Sequence, residues 1–290
     1  IYFSSDPHPD FIIERNKVKV FPSKELHGEQ RLHINAGIEN AMAYKLTNEV
    51  VLPVSFESNN PAIQLVSSGV IMPTSKGLIF PFKAVSLNMV DLKIIQIYEN
   101  NVLSFLQDND ISYSSNINRA GRLIFQKRLQ LDQMIQADLN QWNTFKVDIS
   151  KLIKVEAGAI YRVEIDFRQA YSIYPCDSSQ TEIISEDEYK QEVLQNMKQY
   201  DRNSYYYDDY YYDDEYEEYN WREREDPCSN SYYHNNSIGQ NLFASNLGIT
   251  AKGSPTNKFA VVVSNLKTTD PMKDVNIKFY NLQKQLILES

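Results

Sequence analysis

The sequence lacks long apolar runs, a basic surplus and an abundance of glycine or proline. No stretch reaches a dozen uninterrupted apolar residues, so no segment is expected to span a bilayer as a helix. The 290 residues include 9 glycines and 11 prolines, which excludes a collagen-like or low-complexity chain. With 42% hydrophobic residues, we expect a folded chain of two to three domains. It opens at Ile1 without a basic and then apolar leader, so any export signal is expected to have been removed or to lie outside this sequence.

Acidic charge is concentrated in one segment. The formal net charge is −9, and residues 176–237 hold 17 Asp and Glu against 5 Lys and Arg, whereas the rest of the chain holds 21 and 24. Eleven of the 20 tyrosines lie between Tyr200 and Tyr233. Because the near-neutral remainder offers no basic stripe for a phosphate backbone, we do not expect nucleic acid as a partner.

Short strand patterns dominate residues 1 to about 170. Val163, Ile165 and Phe167 alternate with charged residues, which predicts one strand face in a core and the other in water. Strands are predicted at 17–21, 30–35, 50–56, 77–82, 91–98, 122–131, 145–149, 160–167, 242–250, 259–266 and 275–288. The pattern predicts an all-β fold of consecutive Ig-like antiparallel β-sandwich domains, with one helix-containing, Tyr/Asp-rich insertion.

Four parts are predicted along the chain. Residues 1–60 form a partial Ig-like β domain that is too short to close a sandwich alone. Residues 61–175 form a β-sandwich of immunoglobulin size. Residues 176–238 form the insertion, and residues 239–290 begin a further, truncated β domain.

The insertion is predicted to open with a helix over residues 185–199. Ser185 and Glu188 have the spacing of a capping box, and Tyr189, Val193, Leu194 and Met197 follow at helical spacing. Residues 205–219 contain only tyrosine and acidic residues, so we expect this tract to be solvated and poorly ordered.

Cys176 and Cys228 bracket the insertion. Their placement favours a disulfide that closes its neck, which would indicate an oxidising compartment. Two free or buried thiols in a cytosolic chain are the alternative. A metal site is not expected, because His234 is the one imidazole nearby and four soft ligands cannot be assembled there.

Catalytic and cofactor signatures are absent from the sequence. None of His8, His27, His33 and His234 stands beside a Ser or Cys nucleophile motif, and no phosphate-binding or dinucleotide-binding loop occurs. His33 is interpreted as a surface-facing strand residue. We therefore expect no enzyme activity and no cofactor. The acidic tract lacks the spacing of a specific calcium loop.

The insertion is instead predicted to present an exposed loop, interpreted mainly as a solvated spacer, with a protease-accessible or partner-contact role as the alternative. The candidate residues for that role are Arg202, Tyr205, Tyr206, Tyr207, Tyr210, Tyr211, Tyr212, Arg222 and Arg224.

Three segments carry a family resemblance. Residues 243–252 followed by 259–281 resemble the macroglobulin-like domains of bacterial alpha-2-macroglobulins, with Asp270 where glycine is usual. Residues 78–94 resemble the start of an earlier domain in the same proteins, and residues 31–56 are similar to the closing half of the Ig-like domain before it. The Tyr/Asp-rich insertion is similar to the versions from Bacteroidetes. The resemblance implies an N-terminal segment of such a protein.

The resemblance also implies a broad-range protease trap. The Cys-x-Glu-Gln thioester of many members is absent, so its residues cannot be carried onto this sequence. We therefore expect a non-catalytic scaffold segment of a protease inhibitor in the cell envelope, exported to the periplasm or outer surface, with a lipid anchor as one option. Its expected partners are proteases, through the full-length protein, and other domains of the same chain. The alternative is an adhesion or glycan- or protein-binding module that uses the Tyr-rich loop.

Overall fold

The computed structural model describes most of the chain, namely residues 1–15, 17–24, 26, 28–40, 42–56, 58–66, 69, 71–72, 78–109, 111, 117, 120–156, 158–176, 182–202, 219–234, 236–253 and 258–290. Its strands are β1 (Tyr2–Phe3), β2 (Asp10–Glu14), β3 (Lys17–Phe21), β4 (Gly28–Ile34), β5 (Val50–Phe56), β6 (Ala62–Leu65), β7 (Ile71–Met72), β8 (Ile79–Val85), β9 (Met89–Ile97), β10 (Gly121–Gln130), β11 (Asn143–Asp148), β12 (Ile160–Asp166), β13 (Ile238–Ala244), β14 (Leu247–Gly253), β15 (Phe259–Asn265), β16 (Lys278–Tyr280) and β17 (Leu286–Glu289). Its α-helices are α1 (Val102–Asp108), α2 (Leu131–Met134) and α3 (Glu186–Arg202). The predicted all-β class with a helix in the insertion is confirmed.

Two sheets form a central sandwich. The larger sheet has the order β10-β9-β12-β13-β7, and the smaller one has the order β11-β8-β6. All pairings in these two sheets are antiparallel except the short parallel pair of β13 with β7. Alternate apolar residues of both sheets point into one buried cluster, as the period of two requires.

Aromatic and β-branched side chains fill this core. Phe80, Phe82 and Phe145 of the smaller sheet are almost fully buried, and neighbouring rings lie 5.4 and 6.4 Å apart. Val163 and Leu92 face them from the larger sheet and are fully buried. Burial of apolar area at about 25 cal/mol per Å² makes this cluster the main source of stability for the sandwich.

Residues 1–56 form a smaller sheet with the order β1-β4-β5 and a separate β2–β3 hairpin. Phe3 is buried against Phe56, with ring centroids 5.5 Å apart. Many large apolar residues of β2, β3 and β5 remain exposed.

The strand pattern predicted over residues 242–250 is two strands in the structure. β13 pairs with β12 from Ile165 opposite Ile238 to Ile160 opposite Phe243, so it belongs to the central sandwich. β14 follows after a turn and pairs with β15. The predicted division at residue 239 therefore falls at the start of a strand of the sandwich, and a further domain would begin with β14.

Helix α1 was missed by the sequence analysis. Its seven residues follow a 3₁₀ turn at Glu99–Asn101 and bury Phe105 in a second, smaller cluster with Ile97 and Ile160. Two turns are too short to show a helical period, which explains why no helix was predicted there.

Candidate functional site

The insertion branches from two neighbouring strands of the larger sheet. β12 leads into it through a 3₁₀ turn at Gln169–Tyr171, and β13 receives the returning chain after a 3₁₀ turn at Asn230–Tyr233. Because β12 and β13 are hydrogen-bonded to each other, the chain leaves and re-enters the sandwich at one place. The sheet is therefore continuous across the insertion.

A disulfide closes this neck, as the sequence analysis predicted. Cys176 and Cys228 are bonded, with their Cα atoms 5.6 Å apart and a sequence separation of 52. The Gln169 side chain donates to the Cys228 carbonyl at 2.9 Å. Tyr233 donates to the Pro227 carbonyl at 2.7 Å and packs edge-on against Phe167. Both ends of the insertion are thus fixed to the sandwich.

Helix α3 begins with the predicted capping box. The Glu188 N–H donates to Ser185 Oγ at 3.3 Å, and the Ser185 N–H donates to the Glu188 carboxylate at 2.8 Å. Hydrogen bonds from the Ser185 hydroxyl and backbone lower the pKa of Glu188. The helix extends three residues beyond its predicted end, and Leu194 is exposed rather than on the packing face.

We predict that Ser185→Ala frays the start of α3 without unfolding the sandwich. The substitution removes the acceptor for an N-terminal N–H, so amides of the first helical turns should exchange with solvent about fivefold faster. Hydrogen exchange measured by mass spectrometry on peptides covering α3 tests this. Ser55→Ala, on exposed strand β5, is the matched control. Unchanged exchange in α3 would contradict a stabilising role for the box.

The outer face of the larger sheet carries charged side chains that α3 partly covers. The alternating pattern of β12 predicted that this face would lie in water. In the structure, Lys93 pairs with Asp166 at 2.8 Å, and both side chains are only 27% exposed. Burial alone would lower the pKa of Lys93, but the Asp166 carboxylate outweighs this effect and raises it. The charged residues that alternate along β12 therefore form a second packing face of the sheet, which α3 partly covers.

Arg168 links the helix to the sheet. Its Nε donates to the buried Asp91 carboxylate at 2.9 Å, while Nη1 and Nη2 donate to the two carboxylate oxygens of Glu192 on α3. Burial alone would lower the pKa of Arg168, but the Glu192 hydrogen bonds and the Asp91 charge outweigh this and raise it. Arg168 is therefore cationic at neutral pH.

Asp91 is the centre of this polar cluster. It is fully buried and also accepts from the Tyr171 hydroxyl at 3.0 and 3.2 Å. Burial raises the pKa of Asp91, and the charge of Arg168 opposes that shift. Arg128 donates to the Tyr171 hydroxyl at 2.9 Å and to the Ile184 carbonyl at 3.1 Å. The cluster therefore joins β9, β10 and the chain just before α3.

Aromatic side chains complete the contact between helix and sheet. The Arg128 guanidinium lies 4.3 Å from the ring centroid of Tyr189, which is almost fully buried on α3. At the other end of the helix, burial near Glu164 raises the pKa of Tyr200 to about 12. Between them, Asn196 donates to Gln126 at 3.1 Å. The helix thus lies across β9, β10 and β12.

A cavity of about 300 Å³ lies between the neck and the start of α3. Phe167, Tyr171, Tyr233 and Ile184 supply apolar walls, and its polar groups come from Arg168, Gln169, Glu182, Asn230 and His234. Two of its lining residues, Arg168 and Tyr171, also belong to the polar cluster. The cavity therefore adjoins the contact between α3 and the larger sheet.

Three of the nine predicted loop residues lie in the described part of the chain. Arg222 and Arg224 are exposed on the returning arm, where Arg222 lies over the Trp221 ring at 5.4 Å and Arg224 pairs with Glu225 at 3.3 Å. Arg202 is the last residue of α3. Tyr205, Tyr206, Tyr207, Tyr210, Tyr211 and Tyr212 lie outside the described residues, as does the predicted disorder of their tract.

Within the described ranges, no group of three or more His, Cys, Asp or Glu residues has the placement to hold a metal ion. The helices of that part of the chain include none long and apolar enough to cross a membrane.

The cluster of Asp91, Arg128, Arg168 and Tyr171 was not predicted from the sequence. One signal was available: Asp91 is the one carboxylate in a strand, Met89–Ile97, in which six of nine residues are apolar. A carboxylate in such a strand requires a buried cation or hydrogen-bond donors. Its partners are 37, 77 and 80 positions away, so the pattern alone could not identify them.

Comparison with known proteins gives structural likeness alone. No family model matches the chain, and no curated protein matches it. A crystal structure of native Escherichia coli alpha-2-macroglobulin spanning domains MG0, NIE and MG1 is 12% identical, with a TM-score of 0.49 over 97% of this chain and 70% of that one. The cryo-EM structure of native E. coli alpha-2-macroglobulin is 11% identical (TM-score 0.49, 97% of this chain and 14% of that one). Salmonella alpha-2-macroglobulin reacted with methylamine is 10% identical (TM-score 0.44, 100% and 14%). This chain thus spans about one seventh of the length of the last two.

Proposed function

We propose that this chain is a non-catalytic scaffold segment of a bacterial alpha-2-macroglobulin-like protease inhibitor, located outside the cytoplasm. The sequence resemblance of residues 78–94 and 243–281 supports the family. The disulfide supports an oxidising compartment such as the periplasm or outer surface. Further macroglobulin-like domains are proposed to follow, beginning with β14.

The observation that carries the scaffold role is the closed neck of the insertion. The insertion leaves the sandwich between two paired strands, and a disulfide bridges its base. Cleavage of the chain within the insertion therefore need not separate the two parts of the sandwich. A scaffold in a protease trap meets active proteases, and exposed segments are where proteases cut. A β-sandwich that stays connected after such cuts suits this function.

We predict that limited trypsin treatment nicks the returning arm while the chain stays in one piece. Arg222 and Arg224 are exposed and lie between Cys176 and Cys228. The product should therefore run as one chain without reductant and as two fragments with it. Arg162, whose side chain is 14% exposed within β12, is the internal comparison and should stay uncut. Two fragments without reductant would contradict the bridged neck.

The inhibitor function is tested on the full-length protein. Residues 177–227 are replaced by a four-residue Gly-Ser linker, which spans the 5.6 Å between the two cysteine Cα atoms. After incubation with trypsin, one measures how much trypsin co-elutes with the inhibitor and still cleaves a small chromogenic peptide but not a protein. Unchanged retention is expected. The matched control carries Arg222→Ala and Arg224→Ala in the intact loop.

Two results would count against the proposal. If the unaltered full-length protein retained no protease, the inhibitor function would be wrong. If the linker variant lost binding to cells or glycans that the unaltered protein binds, the Tyr-rich loop would be the functional surface and the adhesion alternative would replace the scaffold.

A further inference from the structure

Three polar side chains of the N-terminal sheet form a chain of hydrogen bonds in series. Ser4 Oγ lies 2.9 Å from His33 Nε2, and His33 Nδ1 lies 2.8 Å from the Glu49 carboxylate. Ser4 follows β1, His33 is in β4, and Glu49 directly precedes β5. The residues are 29 and 16 positions apart, so the fold brings together groups that sequence spacing did not connect.

The protons on these groups can be placed. An ionised carboxylate only accepts hydrogen bonds, so Glu49 fixes the imidazole proton on Nδ1. In that tautomer, Nε2 carries a lone pair and accepts from the Ser4 hydroxyl. The hydroxyl proton therefore points at a base whose other nitrogen is oriented by a carboxylate, which is the arrangement of an activated serine nucleophile.

The turn that carries Ser4 is held in place on both sides. Phe3 and Asp6 are buried and exchange two backbone hydrogen bonds of 3.0 and 3.1 Å, and the Ser4 N–H donates to the Arg31 carbonyl at 3.0 Å. The Asp6 carboxylate accepts from the N–H and hydroxyl of Ser23 at 2.6 and 2.7 Å. Hydrogen bonds from Ser23 lower the pKa of Asp6, so this anchor stays ionised.

The imidazole is also held in plane. The ring of Tyr2, directly opposite His33 in the β1–β4 pair, stacks on it with centroids 4.7 Å apart and planes 6° from parallel. The His33 side chain is 21% exposed, whereas Ser4 is open to solvent. The base is therefore positioned by the sheet, and the nucleophile is accessible to a substrate from outside.

We propose that Ser4, His33 and Glu49 form a nucleophile, base and orienting acid that hydrolyse small carboxylic esters. Ser4 Oγ attacks the carbonyl carbon while His33 Nε2 takes the hydroxyl proton. The tetrahedral intermediate expels the alcohol, which receives that proton, and leaves an acyl ester on Ser4. Water then attacks this ester, gives a proton to His33, and the acid leaves as Ser4 recovers its proton.

The expected substrates are esters with good leaving groups rather than peptides. A positioned general base accelerates a reaction about 10²- to 10⁴-fold, and each hydrogen-bond donor to the oxyanion increases the rate about 10²- to 10³-fold more. Because Ser4 lies on an open surface, the base carries most of the acceleration, which suffices for an activated ester and not for an amide. Ester hydrolysis would be a second activity of a chain whose scaffold role in protease trapping requires no catalysis, and its test is separate from the trapping assay.

The test uses a fluorophosphonate probe and para-nitrophenyl acetate on the full chain. One probe molecule should attach per chain, on the peptide that contains Ser4. Ser4→Ala should abolish both labelling and ester turnover, and His33→Gln should slow labelling at least about 100-fold. Ser5→Ala is the matched control, because Ser5 lies on the same turn but hydrogen-bonds to Gln30 rather than to a base. It should label at the unaltered rate.

Glu49→Gln should lower the labelling rate, because the amide no longer fixes the tautomer of His33. Thermal unfolding of each variant controls for folding. Absence of label on Ser4, equal labelling of Ser4 and Ser5, or an unchanged rate in a folded His33→Gln variant would each overturn the proposal. Ester turnover that survives in Ser4→Ala would assign the activity to another group and would overturn it as well.

Discussion

Replacing both Cys176 and Cys228 with serine is expected to lower the free energy of unfolding by about 4 kcal/mol. The bond closes a loop of 52 residues, and in the chain-entropy model most of its effect lies in the unfolded chain, whose ends it keeps together. In the folded state, the β12–β13 pairing and the hydrogen bonds of Gln169 and Tyr233 already hold the neck. Urea unfolding followed by tryptophan fluorescence measures the difference.

The loop length offers a sharp control. In the variant whose residues 177–227 are replaced by a four-residue linker, the same bond closes only about five residues. Its removal should then cost about 2 kcal/mol, because the entropy term depends on the logarithm of loop length. Equal losses in the long and short loops would show that native contacts at the neck, rather than chain entropy, set the contribution of the disulfide.

The sequence predicted the features that depend on local pattern. The alternation of Val163, Ile165 and Phe167 identified an inward strand face, and the Ser185 and Glu188 spacing identified the start of α3. The cysteine positions predicted the bridge that the structure contains. In each case, the physical constraint acts within a few residues or at the two ends of one segment.

Features that depend on what covers a face could not be predicted. The charged face of β12 has the same pattern whether water or a helix lies over it, and only the fold places α3 there. The membership of β13 in the sandwich depends on its pairing with β12, across a connection of about seventy residues that includes the insertion. His33 was interpreted as a lone surface residue because Ser4 and Glu49 reach it only through strand pairing.

Arg168→Met is expected to lower the free energy of unfolding by about 3 kcal/mol at pH 7. The substitution keeps the length of the side chain but leaves the fully buried Asp91 carboxylate without its cationic partner. The expected loss is at the lower end for a broken buried pair, because the Arg168 side chain is 36% exposed and solvent screens part of its charge. Arg222→Met, at an exposed arginine of the same insertion, is the matched control and should change stability by less than about 0.5 kcal/mol.

The loss should depend on pH in a defined direction. Burial already raises the pKa of Asp91 above its ordinary value of 3.8, and removal of Arg168 raises it further, because that charge is the main effect opposing burial. A carboxyl group with a raised pKa in the folded state destabilises the fold when pH rises above its unfolded value and has no such effect below it. The difference between Arg168→Met and the unaltered chain should therefore shrink as pH falls from 7 toward 4. A difference that stayed constant over this range would mean that Arg168 contributes through packing against α3 and not through the charge of Asp91.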